Sequence, residues 1–173
     1  MMIRKAEMHE FQVVRSFYHS LIDAMEGARY SPGWIKGIYP EDEYLKSLIE
    51  HGQLYIGVID DLIVSAMAVN HNSNDGYNGI SWQVEANADE VTVIHILCVH
   101  PNFSGRGFAK EMLAFVFSLA RENAQKAVRL DVLEGNLPAE KLYEKAGFKY
   151  IDTSVMYYED TGWTNYKLYE FLI

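Results

Sequence analysis

The chain has 173 residues, is 49% hydrophobic, and carries 15 Lys and Arg against 24 Asp and Glu, a formal charge of -9. Length and apolar content suit one compact domain, residues 1–173, with a substantial core, and the acidic balance argues against nucleic acid as a partner. A lone cysteine, Cys98, excludes an intrachain disulfide; there is no apolar signal core at the N-terminus and no run of roughly 18–20 apolar residues, so a cytoplasmic protein without membrane attachment is expected.

Between Glu7 and Glu26, the residues Met8, Phe11, Val14, Tyr18, Leu21, Ile22 and Met25 recur at helical spacing, which predicts an amphipathic helix ended by Gly27. Residues 28–39 contain Pro32, Gly33, Trp34 and Gly37 and read as a loop. A second helix is expected from Pro40, with acids at 41–43 suited to the helix dipole, an apolar face of Tyr44, Leu45, Leu48 and Ile49, and Gly52 as its stop. Gln53–Ile59 and Leu62–Asn70 read as strands joined tightly through Asp60-Asp61. His71–Gly79 is the most loop-like stretch, and Ile80–Val84 is a short strand or part of the same excursion. Val91–Val99 reads as a buried strand, a helix runs from Phe108 to about Ala124, and Ala127–Leu133 is the next strand. A short helix over Leu137–Ala146 ends at Gly147, and Phe148–Tyr158 with Tyr166–Ile173 form a final hairpin. One strand–helix–strand crossover among hairpins predicts an α/β chain of mixed α+β type: a central mixed, mostly antiparallel sheet flanked by helices.

Chemistry concentrates at Leu97–Ala109. Pro101 stops the strand, Gly105 and Gly107 allow a tight turn, and a helix begins at Phe108. Such a turn presents unpaired N–H groups and a positive dipole end, an anion site suited to phosphate. The Gly-Lys-Ser/Thr ending of a P-loop is missing, and Lys110 stands where a dinucleotide fingerprint wants a third glycine, so a nicotinamide-dependent oxidoreductase is disfavoured. Strict alternation would put His95 on the same side as Leu97 and Val99, with Cys98 in the core on the other side. No His, Cys or carboxylate spacing suggests a metal.

A second motif follows: Asn136, Ala139, Leu142, Tyr143, Gly147 and Phe148 fit the pattern Asn-x-x-Ala-x-x-Leu-Tyr-x-x-x-Gly-Phe. Together with Val99-His-Pro101 and Gly107-Phe-Ala109, it closely resembles the GNAT superfamily of acyl-CoA-dependent N-acyltransferases, over about Val91–Tyr158. Ser104 stands where the family usually has Gln or Arg. The resemblance implies a GNAT-like fold, acetyl-CoA as co-substrate, no metal, and a small-molecule or peptide amine as acceptor. It implies that the main chain of Leu97 and Val99 pairs with pantetheine and that the Val99 N–H polarises the thioester carbonyl. Ser104 and the N–H groups of Gly105, Arg106, Gly107, Phe108 and Ala109 would hold the pyrophosphate, with the Arg106 and Lys110 side chains at the rim. Asn136, beside Ala139, would bond to pantetheine amides or cap its own helix.

Tyr143 matches the family's general acid, which protonates the coenzyme A thiolate as it leaves. For the base, His95 ranks above Glu85 and Glu90, with His71 or a water relay as further options. Tyr30, Trp34, Tyr39 and Trp82 lie in segments able to wall an acceptor pocket. Two functions follow: an N-acetyltransferase acting by direct attack of an amine on the thioester, or a catalytically inactive coenzyme A-binding sensor or scaffold. The C-terminal hairpin also offers a sheet edge to which a second copy can add, forming a homodimer.

Overall fold

The computed structural model describes residues 1–173. In chain order the elements are β1 (Met2–Lys5), α1 (Phe11–Ala24), α2 (Asp42–Glu50), β2 (Leu54–Ile59), β3 (Leu62–Asn70), β4 (Val91–Val99), α3 (Phe108–Glu122), β5 (Ala127–Leu133), α4 (Leu137–Lys145), β6 (Lys149–Tyr158) and β7 (Gly162–Leu172). The strands form one seven-stranded sheet in the order β1-β2-β3-β4-β5-β7-β6. Only the β4–β5 pair is parallel, as expected for the single crossover, which runs through α3. Asp60 and Asp61 both take positive φ (48° and 62°), the conformation a two-residue hairpin turn requires.

Three details differ from the sequence reading. Met2–Lys5 is an edge strand, too short and too polar for a periodic signal, held by antiparallel pairing with β2. The helix expected from Pro40 begins at Asp42, with Glu41 as its N-cap. β7 starts at Gly162 and pairs with β6 from Tyr158 onward, so only Glu159–Thr161 are left for the turn.

Alternation along the strands sends side chains to two cores. Leu54, Ile56, Ala66 and Ala68 pack with α1 and α2, while Tyr55, Met67 and Val69 pack with α3. A bulge in β4 breaks this rule at the place where it matters. Ala66 lies opposite Cys98 but Ala68 opposite His95, so β4 carries an extra residue there. Ile96 takes φ 46°, which is strained for a β-branched residue. The buried Tyr18 hydroxyl bonds to its carbonyl at 3.3 Å. The bulge reverses the parity expected for His95. His95 shares the α1/α2 face with Cys98, whereas Leu97 packs on the α3 face.

The two parallel strands part just ahead of the bulge. Pairing of β4 with β5 covers only Val91–Val93 against Ala127–Arg129, while β5 continues against β7 as far as Leu133. The result is a gap in the middle of the sheet, open to both faces.

Candidate active site

A cavity open to solvent occupies this gap. Leu97, Ala139 and Tyr143, which pack with the α3 core, line it together with Asn136. His95 and Asp131 line it from the opposite face of the sheet, where Asp131 pairs with Leu168 in the β5–β7 register. Trp34 and Tyr39 also wall it, as the sequence suggested. Their loop is held against the sheet at Gly33, where φ is 87° and a Cβ would stand 2.7 Å from Thr161 Cγ2. Tyr30 and Trp82 are elsewhere. The Trp82 ring covers the Arg129 guanidinium at 4.1 Å.

Tyr143 is 7% exposed, and its ring sits edge-on to Phe148. Asp160 Oδ1 is the one enclosed side-chain polar atom without a hydrogen-bond partner. The Tyr143 hydroxyl also has no partner in the chain and is not enclosed, so it opens onto the cavity. Burial raises its pKa well above that of a free phenol, with the charge of Asp131 adding to the effect, so it remains protonated at any working pH. The Cys98 thiol is likewise pushed up by burial and is no nucleophile near neutrality.

Of the four side chains weighed as base, only His95 reaches the cavity. Glu90 is paired with Lys126 at 2.8 Å and caps the Asn87 N–H. His71 Nδ1 bonds to the Val91 carbonyl at 2.7 Å, and Glu85 is not among the lining residues. His95 Nε2 lies 2.9 Å from Asn70 Oδ1, which also accepts the Asn72 N–H; Nε2 therefore carries the proton. Burial lowers the imidazole pKa to about 4. Asp131 behaves oppositely. Burial raises its carboxyl to about 6, although Tyr77 (2.9 Å) and Tyr158 (3.2 Å) donate to it. The pattern reading passed over Asp131, and the available signal was one carboxylate in the otherwise apolar Leu130–Leu133 end of a strand.

In the turn between β4 and α3, Gly105 and Gly107 adopt φ of 76° and 86°, and Gly107 is the N-cap of α3. None of the five N–H groups from Gly105 to Ala109 donates a hydrogen bond within the chain. Ser104, Arg106 and Lys110 are exposed beside them, and the Arg106 guanidinium lies 5.3 Å from the centre of the Phe103 ring. The His100 N–H donates to the Val64 carbonyl of β3. The Val99 N–H, one residue earlier, therefore points to the opposite edge of β4, which no strand pairs there. Asn136 occupies the N-cap position of α4, yet its side chain makes no capping bond. The turn before it is fixed instead by buried Glu140, which accepts the Gly135 N–H at 3.0 Å and the Lys167 ammonium at 2.8 Å.

The model of the acetyltransferase (GNAT) family matches residues 16–148, which include the glycine turn, Asp131 and Tyr143. The chain belongs to the GNAT family. Within the family, the chain is 33% identical over 70 residues to the ribosomal protein bS18-alanine N-acetyltransferase of Haemophilus ducreyi. That match spans 40% of this chain and about half (48%) of the relative. Among solved structures, a GNAT-family acetyltransferase from Streptococcus agalactiae superposes with a TM-score of 0.76 at 20% identity, covering 99% of this chain and 95% of that one. The yncA protein of Salmonella typhimurium, solved with its cofactor acetyl-CoA, gives 0.70 at 13% identity over 99% and 93%. The likeness to these structures confirms the mixed, mostly antiparallel GNAT fold expected from the element order.

Proposed function

We propose that residues 1–173 act as one N-acetyltransferase domain, moving an acetyl group from acetyl-CoA to a primary amine by direct attack on the thioester. The observation that carries this reading is the cavity through the sheet. It has a phenol on the face of α3 and α4 and a carboxylate on the other face, and a row of unbonded N–H groups stands at the N-terminus of α3. Acetyl-CoA would lie on the α3 side. The N–H groups of Gly105–Ala109 would hold the pyrophosphate, with Ser104, Arg106 and Lys110 at its rim. The pantetheine would run past Leu97, Ala139 and Asn136, and the Val99 N–H would donate to the thioester oxygen as it gains negative charge.

The amine would enter from the other face as an ammonium ion and lie beside Asp131. The Asp131 carboxylate first takes one proton and frees the nitrogen lone pair, which then bonds to the carbonyl carbon; Asp131 is a better acceptor than His95 because burial raises an acid's pKa and lowers an imidazole's. The C–S bond then breaks, the thiolate takes the Tyr143 proton, and the second proton of the attacking nitrogen returns to the Tyr143 oxygen, leaving a neutral amide. A thiolate leaving into the same poorly solvated cavity is itself more basic than in water, which keeps that transfer balanced.

The test has two arms. At a hundredfold excess over its dissociation constant, acetyl-CoA should stabilise the protein by about 2.7 kcal/mol, and an amine panel should show thiol release. Stabilisation without release to any amine would leave the inactive coenzyme A-binding module as the reading. Neither effect would refute both.

A further inference from the structure

The acceptor side of the cavity holds a second carboxylate that acetyl transfer as described does not use. Asp160, in the β6–β7 turn, lines the cavity, and its Oδ1 is enclosed with no donor. The Asp160 carboxylate has no cationic partner in the chain, which marks it as a position suited to a cation. The surroundings agree. No Lys or Arg lines the cavity, and His95 is held neutral by burial. Four rings form a continuous wall: Trp34 and Tyr39 at 6.5 Å, Tyr39 and Tyr158 at 5.8 Å, Tyr158 and Tyr166 at 4.8 Å between centroids. Ring faces attract cations, and two carboxylates with no compensating base repel an acceptor that itself carries a carboxylate.

Resting on the acetyl-transfer reading, we propose that the acceptor is a dicationic alkylamine, a diamine or polyamine, whose reacting nitrogen lies at Asp131 while its second ammonium is held by Asp160 and the aromatic wall. The second nitrogen stays protonated throughout. One N–C bond forms, one C–S bond breaks, and the ammonium proton is released with coenzyme A.

Thiol release by the unmodified protein is measured with α,ω-diaminoalkanes of three to six carbons, their n-alkyl monoamine counterparts, free amino acids and a peptide with an N-terminal alanine. A charged hydrogen bond to Asp160 predicts a kcat/KM at least about tenfold higher for the best diamine than for its matched monoamine. In D160N that diamine-to-monoamine ratio should collapse to within about threefold. If the monoamine, amino acid or peptide equals or exceeds the diamine, this inference is overturned while acetyl transfer stands. A D160N protein that keeps the ratio also overturns it. Should D160N not fold, the ratio in the unmodified protein decides. Absence of release with every amine overturns both readings.

Discussion

Replacing Tyr143 by Phe is the cleanest probe of the chemistry, because the phenol hydroxyl makes no hydrogen bond in the chain while its ring is packed against Phe148 and Tyr169. The substitution keeps the ring and leaves no buried polar partner unsatisfied, so stability should change by less than about 1 kcal/mol in urea titrations. What disappears is the proton for the leaving thiolate. Positioned acids typically contribute about 10²–10⁴-fold, and kcat for thiol release should fall within that range. KM for acetyl-CoA should change little, since the pyrophosphate contacts lie on the Gly105–Ala109 turn. The assay is continuous thiol release at saturating acetyl-CoA, run beside a melting curve for each protein. A folded Y143F enzyme with kcat within about threefold of the unmodified one would refute Tyr143 as the acid, since a useful acid is worth far more.

In the unmodified enzyme kcat/KM should rise as pH increases through about 6, where the Asp131 carboxyl becomes a base, and Asp131→Asn should abolish that rise. Stability should shift in the opposite sense. Because the folded-state pKa is raised, between about pH 4 and 6 the folded chain holds a proton that the unfolded chain has lost, and stability falls as pH rises across that window. The total is roughly 3 kcal/mol, and it should be visible as a pH-dependent difference between the two proteins in denaturant titrations. Gly107→Ala meets no atom within 4 Å, so its cost comes only from forcing φ of 86° on an L-residue. About 1–2 kcal/mol of stability should be lost, and KM for acetyl-CoA should rise, as read by melting and by titration of the co-substrate. Glu170→Gln removes the charge that compensates the buried Arg129 guanidinium 2.9 Å away and should cost about 3–5 kcal/mol in urea titrations.

The glycine turn, its helix, the Asn136–Tyr143 spacing and the amphipathic faces of α1, α2 and α3 were legible in the sequence. Each is a local property: positive φ at Gly105 and Gly107, a 3.6-residue apolar repeat, a proline in a first turn. The hairpin at Asp60-Asp61 was equally legible, because two short polar residues between β-rich runs leave little choice of connection. Which residues meet at the reaction centre was not. The face on which His95 lies depends on a bulge at Ile96, held by a hydroxyl from Tyr18 more than seventy residues earlier (sequence separation 78), and alternation within β4 cannot foresee it. The cavity exists because β5 follows β7 rather than β4 beyond Arg129, a competition between strands that no local window contains. Asp131, Tyr158 and Asp160 come together only through the β5–β7–β6 register, so the acceptor side is written in long-range pairing, whereas the cofactor side is written in consecutive residues.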